Sequence, residues 1–214
     1  MKNMGKRAYT PRDIEAKKYE CFDWDGEWLQ AFGNPAINSK WVVLGPSASG
    51  KSSFVMQLSK KLCQYGPVLY ASYEEGVGMQ FQHRLQQQRM SDVQGKFMVI
   101  AEETPEELAE RLSRPKSPRF VIIDSFQVGC DLYGWDYEKA LQLIVRFPQK
   151  GFVFISQEHK GQPMGKGAVR LRYFADMKVR VAGYKAYCQG RSAGEPGNYY
   201  VVWEEGVLMT SNNL

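Results

Sequence analysis

The chain is poor in the residues that build metal cages and disulfide frameworks. Its 214 residues include four cysteines and two histidines. Cys21, Cys63, Cys130 and Cys188 lie far apart and form no C-x-x-C pair. That spacing excludes a zinc ribbon and a disulfide-stapled scaffold, and points to a reduced, cytoplasmic chain. His159 has no cysteine or carboxylate pattern around it that would make it a metal ligand. His83 falls in the helical stretch QFQHRLQQQRM and reads as a surface or helix-face residue. No run has the length and apolarity of a membrane-spanning helix. The charged N-terminus is followed by no apolar signal core. There is no internal repeat, which excludes a solenoid. What remains is ordinary for one substantial globular domain, with 43% hydrophobic and 24% charged residues. The formal charge of +5 permits contact with a polyanion without requiring it. That charge is uneven, because residues 159–191 carry many Lys and Arg and few acids.

One short stretch is dense with meaning. GPSASGKSS, residues 45–53, fits G-x-x-x-x-G-K-[ST] from Gly45 to Ser52. The apolar run Trp41-Val42-Val43-Leu44 before it reads as a strand. Phe54, Leu58 and Leu62 after it recur at fourfold spacing, as on a helix. Strand, glycine loop and helix in that order form a phosphate cradle. Backbone N–H groups of Gly45, Pro46, Ser47, Ala48, Ser49, Gly50, Lys51, Ser52 and Ser53, proline excepted, can turn toward anionic oxygens, and the helix adds its positive end. Gly50 removes bulk where backbone meets phosphate. Lys51 is expected to bridge the outer phosphates, and Ser52 to hold magnesium through its hydroxyl.

The strands that follow are apolar throughout. PVLYAS (67–72), Phe97 to Ala101, Phe120 to Ile123 ending on Asp124, and Phe152 to Ser156 alternate with helical patterns. Thr104-Pro105-Glu106-Glu107 has the form of a capping box with proline at the first helical position. Asp136 is expected to cap another helix that turns Ala140, Leu141 and Ile144 inward. Uninterrupted apolar strands separated by helices imply a parallel sheet covered on both faces. After Asp176 the rhythm changes. MKVRVAGYKAYCQG and NYYVVWEEGVLM read as a pair of late, antiparallel strands joined by residues 191–196. Phe22, Trp24, Trp28, Leu29 and Phe32 supply an aromatic segment that packs on the core.

Ligands in such sheets bind beyond the carboxyl ends of the strands. Three candidates end there. Asp124 can serve magnesium opposite Ser52, with Ser125 helping to orient the site. Glu74, in YASYEEG, can take a proton from water attacking a terminal phosphate, with Glu75 as the alternative acid. Gln157, in FISQEHKG, has donor and acceptor atoms to report on that phosphate. It can pass the signal to the loop 158–167, whose glycines and lysines suit contact with a nucleic-acid backbone.

The order GPSASGKSS, LYASYEEG, FVIIDSFQ, FISQEHKG resembles the RecA-like ATPase core of recombinases, RadA/Sms-type repair proteins, KaiC-type ATPases and DnaB-type helicases. The resemblance covers residues 20–207. It implies an α/β fold, a three-layer α/β/α RecA-like P-loop NTPase with a mainly parallel central sheet and late antiparallel edge strands. Residues 21–214 would form one such domain after a partly flexible N-terminal extension, residues 1–20. It further implies ATP and Mg2+ as cofactors, Glu74 activating water, Asp124 on magnesium, and Gln157 coupling nucleotide state to DNA. DNA is the implied partner, single-stranded ahead of duplex, through loop 158–167. A homo-oligomer, ring or filament, with nucleotide between neighbours is also implied. Relatives place lysine, spacer and arginine on late strands to reach a neighbour's phosphate. Here the segment is Gln189-Gly190-Arg191. Arg191 matches the arginine, Gln189 replaces the lysine, and Lys185 is a candidate to compensate.

The leading expectation is therefore Mg-dependent ATP hydrolysis to ADP and phosphate in DNA recombination, repair or replication. Two alternatives share the cradle, a small-molecule kinase and a non-hydrolysing nucleotide-dependent assembly factor. The carboxylate at Glu74 favours water as the acceptor, and the 158–167 segment is too short of arginine for a kinase lid.

Overall fold

In the computed structural model, residues 8–190 and 194–211 are described. Pro11–Glu15 (α1) and Gly26–Phe32 (α2) lead into Lys40–Gly45 (β1), Lys51–Leu62 (α3), Val68–Ser72 (β2) and Met79–Gln87 (α4). A 3-10 turn at Met90–Val93 precedes Phe97–Ile100 (β3), Pro105–Ser113 (α5) and Phe120–Asp124 (β4). Phe126–Leu132 (α6), Tyr137–Arg146 (α7), Gly151–His159 (β5), Gln162–Pro163 (β6) and Lys166–Phe174 (α8) follow. Met177–Ala182 (β7), Lys185–Cys188 (β8), Tyr199–Val201 (β9) and Glu204–Ser211 (α9) close the described chain.

The sheet runs β3-β2-β4-β5-β1-β7-β8-β9, with β6 paired to the end of β5. Pairing is parallel from β3 through β7 and antiparallel for β7–β8, β8–β9 and β5–β6. Three layers follow from the alternation of side chains along each strand. Trp41, Val43, Val68, Tyr70, Phe120, Ile122, Val153 and Ile155 join one buried cluster with α3 and the aromatic segment. Val42, Leu44, Leu69, Ala71, Val121, Ile123, Phe152 and Phe154 join the other, with α5 and α7. Each central strand thus needs apolar residues at every position, which is why these segments read as continuous runs.

Local signals in the sequence are borne out where they are strong. The Thr104 hydroxyl accepts from the Glu107 N–H while the Glu107 carboxylate accepts from the Thr104 N–H, with Pro105 at the helix start. Asp136 accepts from the Lys139 N–H at 2.7 Å and caps α7. On that helix Leu143 rather than Leu141 is buried beside Ala140 and Ile144, because it lies three residues from Ala140 on the same stripe. Phe22, Trp24 and Phe32 are buried and Trp28 packs against them, but Leu29 is largely exposed.

Two segments differ from expectation. MKVRVAGYKAYCQG is not one strand but a complete hairpin, β7–β8. Its turn residues Gly183 and Tyr184 both take positive φ, 54° and 58°, the conformation of a two-residue turn that matches strand twist. NYYVVWEEGVLM is a short strand and then a helix, with Glu204 and Glu205 in the favourable first turn of α9. Among the described residues no helix is long and apolar enough to cross a membrane.

Candidate functional site

Parallel pairing fixes the site. Gly45 is the register partner of Gln157, and Ser72 that of Asp124. The carboxyl ends of β1, β2, β4 and β5 therefore open on one cavity of about 530 Å3. Gly45, Ser47, Ala48, Lys51, Ser52, Glu74, Asp124, Ser125 and Gln157 all line it. Residues scattered over more than a hundred positions are brought together, as their strand-end positions predict.

The cradle has the geometry its motif requires. Ala48 and Gly50 take positive φ, 57° and 95°, so successive N–H groups curl inward. Gly50 is also the N-cap of α3 and offers no side chain to its first-turn donors, which leaves them for an anion. The fold supplies its own reason for glycine at position 50. A Cβ there would sit 3.0 Å from Cδ1 of Tyr184, so the position is crowded by the β7–β8 turn. Gly45 is likewise fixed by its neighbour strand, since a Cβ would lie 2.1 Å from the Val181 carbonyl oxygen. Lys51 donates from Nζ to the Pro46 carbonyl at 2.7 Å. Burial lowers the Lys51 pKa, opposed by the charges of Glu74, Asp124 and Glu158.

Asp124 is buried at 9% exposure and accepts a hydrogen bond from the Tyr70 hydroxyl. Burial pushes its carboxyl up to about 6. The Tyr70 bond pulls the other way, while Glu74 and Glu75 add to the rise. Ser125 next to it has a buried hydroxyl with no partner. An orphaned hydroxyl beside a carboxylate, with Ser52 across the cavity, fits a hydrated magnesium ion bound to phosphates. Among the described residues no group of three or more His, Cys, Asp or Glu could hold a metal, so an ion here would need phosphate oxygens and water to complete its shell.

The two glutamates are not equivalent. Glu75 is gripped by Arg84 from α4, with Nη2 to Oε1 at 2.7 Å and a second bond from Nη1. Glu74 lines the cavity with no side-chain hydrogen bond or ion pair among the described residues. The segment 158–167 is not a loop. β5 continues to His159 and pairs with β6, with Lys160 and Gly161 both at positive φ in the turn, 50° and 78°. Glu158 is held by Arg180 at 3.0 and 2.8 Å. Lys160 and Lys166 are exposed. Gln127, a residue the motifs did not single out, donates to Ser156 Oγ at 2.8 Å and to the Met164 carbonyl at 2.6 Å. It also accepts from the Gln157 N–H at 3.2 Å, tying the Asp124 side of the site to the hairpin.

A second cleft of about 560 Å3 lies on the other side of the α3 N-terminus. Ser53, Gln57, Gln87, Gln88, Tyr184, Val202 and Trp203 line it. The Tyr184 and Trp203 rings meet edge to face at 5.0 Å. Ser52 thus belongs to the first cavity and Ser53 to the second. Arg191 lies outside the described residues. Gln189 follows β8 at the level of Lys178, to whose carbonyl its N–H donates at 2.7 Å. That level is register-matched to Val42, away from the cradle. Lys185 sits over the Tyr199 ring at 4.3 Å.

No family model matches the chain. The DNA repair protein RadA of Streptococcus pyogenes serotype M3 (strain ATCC BAA-595 / MGAS315) is 30% identical over 123 residues, 56% of this chain and 26% of that protein. RadA of Streptococcus pneumoniae (strain ATCC BAA-255 / R6) is 32% identical over 102 residues, 47% of this chain and 23% of that protein. The chain spans about a quarter of the length of the curated relatives it matches. The crystal structure of flagellar accessory protein FlaH from Methanocaldococcus jannaschii superposes with a TM-score of 0.59 at 15% identity, covering 86% of this chain and 92% of that one. The chain shares the α/β fold of the FlaH structure and is similar to RadA over about half of its own length, in line with the order of its motifs.

Proposed function

We propose that the chain hydrolyses ATP to ADP and phosphate with magnesium, in the cytoplasm, in service of DNA recombination, repair or replication. The observation that carries this reading is the convergence of Lys51, Ser52, Asp124, Glu74 and Gln157 on one cavity. Magnesium, when bound, would supply positive charge to the phosphate oxygens. Lys51 would exchange the Pro46 carbonyl for an outer phosphate oxygen. Glu74, the unengaged acid, would accept a proton as the water oxygen bonds to the terminal phosphorus and the bond to ADP breaks. The proton rests on Glu74 and the electron pair leaves on ADP. Gln157, at the cavity wall, would face the terminal phosphate, and Gln127 links it to the β5–β6 hairpin. Lys160 and Lys166 on and beside that hairpin would meet DNA, with single strands preferred.

The likeness to RadA, a DNA repair protein by name, supports DNA as the partner. A ring or filament in which Arg191 reaches a neighbour's phosphate belongs to the same reading. Its support is the exit of β8 away from the chain's own cradle. Phosphate release from purified protein, measured with and without single-stranded and duplex DNA, tests the whole. DNA-stimulated, magnesium-dependent release is expected, and release of phosphate only to a small-molecule acceptor would make the chain a kinase.

A phosphate chain that passes over the α3 N-terminus from Ser52 to Ser53 brings the nucleoside to the second cleft. Tyr184 and Trp203 offer aromatic wall, worth about 1–3 kcal/mol per stacked base. Tyr184→Ala should weaken ATP binding about tenfold or more on that scale. It should leave binding of inorganic tripolyphosphate unchanged, as read by calorimetry.

A further inference from the structure

The cavity collects acid. Asp124, Glu74, Glu75 and Glu158 line it, and a triphosphate would bring more negative charge to the same place. Among the described residues two cations line it beside them. Lys51 belongs to the cradle, and Arg180, outside the lining, is committed to Glu158. The other lining cation is Arg84, on α4. Its side chain is only 18% exposed, it lines the cavity, and it feels the charges of Glu75 and Asp124.

The geometry is that of a fork on a carboxylate. Both terminal nitrogens of Arg84 engage both oxygens of Glu75, an arrangement a planar guanidinium makes and an ammonium does not. Glu74 next to it is free of such a partner. Two adjacent glutamates therefore differ: Arg84 clasps Glu75, while Glu74 is exposed and unclasped.

We propose that Arg84 is a positioning residue of the phosphate site, cancelling the charge of Glu75 so that Glu74 alone remains a free acid and the cavity can accept a polyanion. The inference rests on the reading of this cavity as the seat of MgATP. Loss of one partner from a half-buried pair leaves the other charge uncompensated, and most of the penalty comes from that orphan. Without Arg84, the bare Glu75 carboxylate would repel the incoming phosphates.

The test is a double-mutant cycle on the whole chain. Affinity for a slowly hydrolysed ATP analogue with magnesium is measured by calorimetry in Arg84→Ala, Glu75→Gln and the double variant. Thermal melts check that each is folded. Arg84→Ala should bind about tenfold more weakly, Glu75→Gln at least as tightly as wild type because Arg84 is then free to face the phosphates, and the double variant within about threefold of wild type. Recovery in the double variant is the readout a merely structural role would not give. A double variant as weak as Arg84→Ala, or an Arg84→Ala that binds like wild type, overturns the proposal. If Arg84→Ala does not fold, Arg84→Gln carries the same cycle, with the same outcomes. A wild-type protein that binds no MgATP overturns the nucleotide reading itself, and this inference with it.

Discussion

Lys51→Ala should abolish measurable ATP turnover and weaken MgATP binding by roughly 10- to 100-fold, the worth of a charge-assisted hydrogen bond of about 1.5–3 kcal/mol. Lys51 is the one side-chain cation of the cradle, and its ammonium already donates to the Pro46 carbonyl beside the cavity. Burial lowers its pKa while Glu74, Asp124 and Glu158 hold the charge in place. Removing it leaves a polyanion facing Glu74, Asp124 and Glu158 with no side-chain cation in the cradle. The fold should survive, because the side chain opens onto the cavity rather than the core. Calorimetry with a slowly hydrolysed ATP analogue measures the affinity, and phosphate release measures turnover. Unchanged affinity together with unchanged turnover would sink the phosphate-cradle assignment.

Glu74→Gln should lower turnover by about 10²-fold or more while MgATP still binds, since the change keeps shape and removes the base. The contrast with Glu75 sharpens the expectation. Glu75 is clasped by Arg84, so both its oxygens are engaged and its reach is fixed. Glu75→Gln should leave most of the turnover intact. Single-turnover phosphate release separates binding from chemistry in each variant. The reverse pattern, with Glu75→Gln inactive and Glu74→Gln active, would assign the base to the wrong glutamate and undo the account of Arg84 as well. If neither substitution slows release, water activation does not come from this strand end.

The sequence by itself determined the elements whose physics is local. A phosphate loop is a run of backbone conformations between a strand and a helix, so Gly45 to Ser53 declared it in nine letters. The Thr104 capping box lies within four residues. Strands buried on both faces must be apolar at each position, so β1, β2, β4 and β5 stood out. Their carboxyl ends supplied Asp124, Glu74 and Gln157, because a parallel sheet puts those ends on one side. Tertiary structure alone decided what these residues touch. Tyr70 reaches Asp124 across 54 positions, and Gln127 reaches Ser156 across 29. Such pairs depend on strand register, which no local pattern encodes. Nothing in the sequence singles out Arg84, because its pairing with Glu75 depends on how the chain turns back from β2 into α4. Tyr184 looked like an ordinary strand residue, since tyrosine is not a turn former, yet the β7–β8 turn presses it against Gly50. Local spacing names the groups that can do chemistry. Which of two adjacent glutamates is free to do it is settled by a cation that only the packing brings near.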